Sequence, residues 1–168
     1  MSETAAATTT LGAASPAQAG TLTRVLSEGY GPGAWHGADL RAALDGVTPA
    51  QALWRPAPGR HNIAEVAIHH AFYVRSVTGR LTGVEQPAFP FAGEDWFEAA
   101  DDGSFSWPSI TGLLEHLQQR LVDAAGDIED GRVKSPLSDA ELFGLVLGIT
   151  CHAVYHAGQI QLIKALGA

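Results

Sequence analysis

The chain has 168 residues, an apolar share of 46% and a formal charge of −8, which suits one compact domain with a sizeable core. An acidic surface with no block of Lys or Arg argues against nucleic-acid and anionic-membrane partners, since both reward a basic patch. The one cysteine, Cys151, rules out an intrachain disulfide and is compatible with a reducing cytoplasm, the compartment expected here.

Residues 1–15, dominated by small residues and Thr, read as a flexible N-terminal tail ahead of one domain spanning 16–168. The first basic side chain is Arg24 and no leucine-rich stretch precedes it, so no signal peptide is predicted. The first main helix should run from Pro16, capped by Ser15, to Tyr30, where Gly31 and Gly33 end it. A short helix is expected at Leu40 to Leu44, then a turn at Thr48-Pro49 and a Pro-rich arm after Trp54. Asn62 caps the second main helix, which runs to about Leu81 with Ile63, Val66, Val74 and Val77 at helical spacing.

From Gly83 to Trp107 prolines, glycines, acids and aromatics alternate without a period, apart from a possible helical stretch at Asp95 to Ala100. The third main helix opens at Pro108 and ends near Gly126. The fourth opens at SDAE, with Ser138 as cap, Glu141 completing a capping box and Leu137 stapling to Leu142; it runs to about Leu166. Four long helices with apolar stripes and no strand pattern predict an all-α four-helix bundle with long connections. No apolar run reaches about 18 residues without polar interruption, so no membrane span is expected.

In the stretch CHAVYHAGQI, His152 and His156 stand four residues apart. In a helix this places them side by side, about 40° apart around the axis and about 6 Å along it. Two imidazoles in so apolar a helix need partners, and one metal ion serves both. A third ligand should come from the His69-His70 pair on the second helix. The helical wheel favours His70 slightly, because it continues the stripe of Ile63, Val66, Val74 and Val77. Gln159, seven residues past His152, and Tyr155 lie close enough to assist the site, and Glu65, one turn before His69, could fix a ring tautomer. His116 should be exposed, His36 and His61 should pack or cap, and Cys151 should be a small buried core thiol.

HNIAEVAIHHAFY, followed far downstream by CHAVYHAGQIQLIKAL, resembles the DinB/YfiT-like superfamily of metal-binding four-helix bundles. The likeness spans Gln18 to Leu166, and HxxYHAGQI is its most specific part. It implies a single divalent transition metal on His69, His152 and His156, with His69 chosen over His70 by its place four residues after the acid of Ile63-Ala64-Glu65. Zinc or nickel comes first, with iron or copper as further choices, since imidazole suits all four. Three ligands leave a coordination position open, as in catalytic sites. The family's active branches imply thiol S-transfer with bacillithiol- or mycothiol-type thiols, mycothiol-dependent maleylpyruvate isomerisation, or a related hydrolase. A non-enzymatic metal-binding stress-response protein is the competing class, and a metal-free polar core network is a third reading.

The implied partners are a small-molecule substrate and a low-molecular-weight thiol. Metal binding should fail below about pH 6.5, where free histidine protonates. A homodimer is expected, because family members pair through helices and because Phe89, Phe91, Trp96, Phe97, Phe105 and Trp107 crowd one loop that must cover something.

Overall fold

The computed structural model describes residues 20–99 and 106–167. Among them lie six helices and no strand: α1 (Thr21–Tyr30), α2 (Leu40–Leu44), α3 (Pro49–Leu53), α4 (Ile63–Thr82), α5 (Trp107–Glu129) and α6 (Asp139–Leu166). The four long helices, α1, α4, α5 and α6, form the expected all-α bundle. α1 packs on α5 and α6, α4 on the same two, and α2 lies against α6.

Local capping sets most of the helix ends. Asp39 accepts from the Ala42 N–H at 2.9 Å, Asn62 from Glu65 N–H at 2.8 Å, and Ser106 from Ser109 N–H at 3.3 Å. α6 opens on the expected Ser138–Glu141 capping box, with the Glu141 carboxylate accepting from Ser138 N–H at 2.8 Å. Gly83 ends α4 in the left-handed region at φ 70°, a conformation that suits a residue without Cβ.

Several elements depart from the sequence reading. The described part of the first helix starts at Thr21 after Gly20; the expected Ser15 cap, residues 16–19 and the 1–15 tail lie outside the described residues. Gly20 offers no side-chain cap. Glu129, at the far end of α5, supplies one instead by accepting from Leu22 N–H at 2.7 Å and Thr23 N–H at 3.3 Å. Thr48-Pro49 is not a simple turn but the start of α3, because Thr48 and Gln51 form a second capping box. α5 continues past Gly126 to Glu129; the glycine does not end it, and α1 packs there, with Thr23 close to Gly126.

Asp95 to Ala99 is not helical, because its backbone groups bond outward: the Asp95 carbonyl goes to His69 and the Ala99 N–H to Glu65. Ala100 falls outside the described residues, as does Phe105. Phe89, Phe91 and Phe97 gather with Phe72 of α4, with ring centroids 5.1–6.3 Å apart, and Trp107 donates from Nε1 to the Val47 carbonyl at 2.8 Å. Phe89, Phe91 and Phe97 therefore cover the bundle.

α6 presses Leu142, Val146, Ile149, Ala153 and Ile160 into the core. It meets α1 closely at Gly29, where an added Cβ would lie 2.9 Å from the Thr150 carbonyl and 3.0 Å from the Ala153 Cβ. By length and composition α6 is apolar enough to cross a membrane, contrary to the sequence expectation, but about two fifths of that stretch is buried within the protein. Cys151 is exposed, correcting the reading of a core thiol: it lies about 160° around the helix from the inward Ala153 and about 180° from Ile160 rather than with them.

Candidate metal centre

α4 and α6 run side by side with their histidines facing. The first ten residues from Asn62 to Ala71 are all buried, so this part of α4 has no outward face. Both His69 and His70 are consequently inside the protein. The ligand atoms of His69, His152 and His156 lie within 4.8 Å of one another. His152 is central, its Nε2 standing 3.2 Å from His69 Nε2 and 3.0 Å from His156 Nε2.

The outer nitrogens of these rings fix what the inner ones can do. His69 Nδ1 lies 2.8 Å from the Asp95 carbonyl, which can only accept, so Nδ1 carries the hydrogen. Gln159 donates from Nε2 to the Tyr155 hydroxyl at 3.1 Å, which turns its Oε1 to His156 Nδ1 at 2.6 Å, so this Nδ1 also donates. Both Nε2 atoms are then bare lone pairs aimed at His152 Nε2, which has at most one hydrogen to offer. A divalent cation satisfies all three lone pairs at once. Nitrogens bound about 2.0–2.1 Å from a tetrahedral zinc stand roughly 3.4 Å apart, close to the separations here. The residues present fit the metal that the bundle implies.

His70 takes a different position. Its Nδ1 faces His152 Nδ1 at 2.9 Å, behind the converging atoms, and its Nε2 is buried without a hydrogen-bond partner. Burial, and after it the neighbouring imidazoles, keep His70 neutral with a pKa well below the usual histidine value. Burial likewise lowers His152 and His156 to about 4, reinforced by His156 and His69 around the former and by His69 around the latter. In the metal-free protein His70, His152 and His156 thus stay neutral well below pH 6.5.

The assisting residues fall into place unevenly. Gln159 engages His156 rather than His152, and Tyr155 reaches the site by its hydroxyl through Gln159 and by its ring, 5.2 Å from that of His156. Glu65 makes no hydrogen bond to His69. Its carboxylate is held by Arg55 (2.8 Å from Nη1 to Oε2), by His61 at 3.0 Å and by the Ala99 N–H at 3.3 Å. Burial alone would raise its pKa, but these three partners outweigh burial and lower it. The acceptor for His69 is a backbone carbonyl, a role no sequence pattern announces.

Sequence reasoning also missed Trp96. Its ring lies between His61 and His69, at centroid distances of 3.6 and 4.0 Å and nearly parallel to both. Tyr73, whose hydroxyl donates to Asp95 at 2.9 Å, has its ring 5.0 Å from both His69 and His152. His36 bonds the Glu28 carbonyl at 2.7 Å, away from the site, and His116 is exposed as expected. With Asp95 above it and Trp96 across its face, the His69 ring is clamped by the loop. Replacing Trp96 with Ala should weaken metal binding roughly tenfold, the lower end of what outer partners of a ligand contribute, and Phe should restore most of it. Calorimetric metal titration of the two variants tests this; equal affinity for Ala and wild type would show that the stack does not position the ring.

A family model described as the DinB superfamily matches residues 34–160, well over half of the chain. No curated protein and no solved structure matches it significantly.

Proposed function

This chain belongs to the DinB superfamily, and from that membership and the geometry of its three histidines we propose a metal-dependent enzyme that transfers a low-molecular-weight thiol to an electrophile. The observation that carries the reading is the pair of lone pairs, on His69 and His156, both turned to His152 by acceptors on their far sides. His69, His152 and His156 would hold one divalent transition metal, zinc or nickel first and iron or copper next. When bound on three neutral imidazoles, the metal keeps its full charge and lowers the pKa of a thiol or water at its open position.

The surrounding side chains suit a small, uncharged electrophile. Tyr73, Trp96 and Tyr155 are each partly exposed and each approach the histidines, giving an aromatic rim. Glu94, Asp95 and Glu98 place acids on the loop beside that rim, which disfavours an anionic substrate. The Asp95 carboxylate accepts from the Tyr73 hydroxyl and lies 3.4 Å from His69 Nδ1, on the outer side of that ring. Behind Trp96, a cleft of about 390 Å³ bordered by Arg55, His61, Glu65 and Glu98 offers room for a larger group.

Attack by water at the same position would make the protein a hydrolase. The alternative class is a metal-binding stress-response protein without a reaction. A cytoplasmic location, where small thiols are kept reduced, suits the first reading. The test is a metal-loaded screen of bacillithiol- and mycothiol-type thiols against chlorinated aromatics and epoxides, with His156→Ala as control. Metal-dependent turnover lost in the variant supports the enzyme; equal rates across the panel leave the non-enzymatic alternative.

A further inference from the structure

We propose, on the reading of His69, His152 and His156 as metal ligands, that His70 is a positioning residue that sets the hydrogen on His152, and that ligation reverses the hydrogen bond between these two rings. His70 is 1% exposed, with the buried Val66 and Val74 one turn to either side of it on α4. Its Nδ1 lies 2.9 Å from His152 Nδ1, so the two nitrogens share one hydrogen: one donates and the other accepts. Its Nε2 has no hydrogen-bond partner among the described residues.

Which ring holds the shared hydrogen depends on the other end of His152. In the metal-free protein the bare Nε2 atoms of His69 and His156 face His152 Nε2 at 3.2 and 3.0 Å. His152 meets them with an Nε2–H, because a third lone pair there would repel both. A neutral imidazole with hydrogen on Nε2 has none on Nδ1. His70 must then donate from its Nδ1, which leaves its own Nε2 bare. Ligation through Nε2 strips His152 of that hydrogen. To stay neutral, His152 then carries hydrogen on Nδ1 and donates to His70, whose own hydrogen sits on Nε2. The two rings hold two hydrogens before and after: the one that leaves His152 Nε2 for solvent is balanced by one taken up at His70 Nε2. His70 thus does for His152 what the Asp95 carbonyl does for His69 and Gln159 for His156, giving each outer Nδ1 an acceptor. Unlike a carbonyl oxygen, an imidazole can also donate. That suits it to the central ring, whose Nε2 is a donor without metal and a ligand with it.

Nitrogen-15 NMR of the histidine-labelled wild type, with and without zinc, reads these tautomers directly. Metal-free, His70 should carry its hydrogen on Nδ1; zinc-loaded, on Nε2, with His152 in the Nδ1–H form. Substitutions separate this role from packing. Asn places its amide where Nδ1 of His70 stands and can turn it to accept or donate. Gln reaches the place of Nε2 instead, and Leu fills the space with neither group. Zinc affinity measured by calorimetry should stay near the wild-type value in His70→Asn and fall about 10–100-fold in His70→Gln and His70→Leu. A packing role predicts the reverse order, since Asn is the smallest and most polar of the three. A metal-free His70 with hydrogen on Nε2, a tautomer that zinc leaves unchanged, or Leu binding zinc as tightly as Asn would overturn the proposal and leave the metal centre standing. A wild type that takes up no zinc would end the metal reading and this role of His70 together.

Discussion

Replacing His152 with alanine should reduce bound metal to background, while replacing His70 should only weaken binding. His152 Nε2 lies between the other two converging nitrogens, 3.2 Å from one and 3.0 Å from the other. Its loss leaves His69 and His156 without their shared neighbour, and two imidazoles make too few ligands for tight binding at neutral pH. His70 touches only the far nitrogen of His152. Its removal frees that ring to turn but removes no converging atom, so a loss of about 10–100-fold is expected. His69→Ala should behave like His152→Ala, because its Nε2 is one of the bare lone pairs. Elemental analysis after dialysis gives occupancy, and calorimetry gives affinity, for the three variants side by side. Full occupancy in His152→Ala would sink the site. Retention in His69→Ala with loss in His70→Ala would exchange the roles of the two adjacent histidines.

That rivalry shows where the sequence stops being informative. A helical wheel separates inward from outward positions only when a helix has an outside. From Asn62 to Ala71 α4 has none, so the apolar stripe that favours His70 carries no information about which imidazole meets α6. The register relative to Glu65 points to His69, although Glu65 itself is occupied by Arg55 and His61. On α6 the sequence is more telling. A spacing of four on one helix fixes the distance between two side chains whatever the tertiary structure, and His152 and His156 meet accordingly.

The same division holds for the fold. Ends set by a residue three positions away, such as Ser138 with Glu141 or Asn62 with Glu65, are visible in the chain. The cap that Glu129 gives to α1 crosses more than a hundred residues and is not. The loop from Gly83 takes its path from Phe72, His69 and Glu65, all on another element, and its own residues show no period to betray this.

Acid should destabilise the metal-free protein between about pH 6.5 and 4, with His152 and His156 as two of the rings responsible and buried His70 acting in the same sense. His152 and His156 titrate near 4 in the folded protein, pushed down first by burial, against about 6.5 in an unfolded chain. Within that window the unfolded chain binds protons that the folded one refuses, so stability is fully present above the unfolded value and is lost as pH falls toward the folded one. At 1.36 kcal/mol per unit, and with His152 discounted for its contact with solvent, the two together amount to on the order of 3 kcal/mol. Glu65 acts in a lower window: its lowered pKa makes its contribution disappear only below the ordinary carboxylate value. Urea midpoints of chelated protein at pH 7, 5.5 and 4.5 measure the slope. His152→Gln with His156→Gln should reduce it, since neither replacement titrates, leaving the share of His70. An unchanged slope in the double variant would assign the acid sensitivity to other groups and remove the buried, neutral imidazoles as its source.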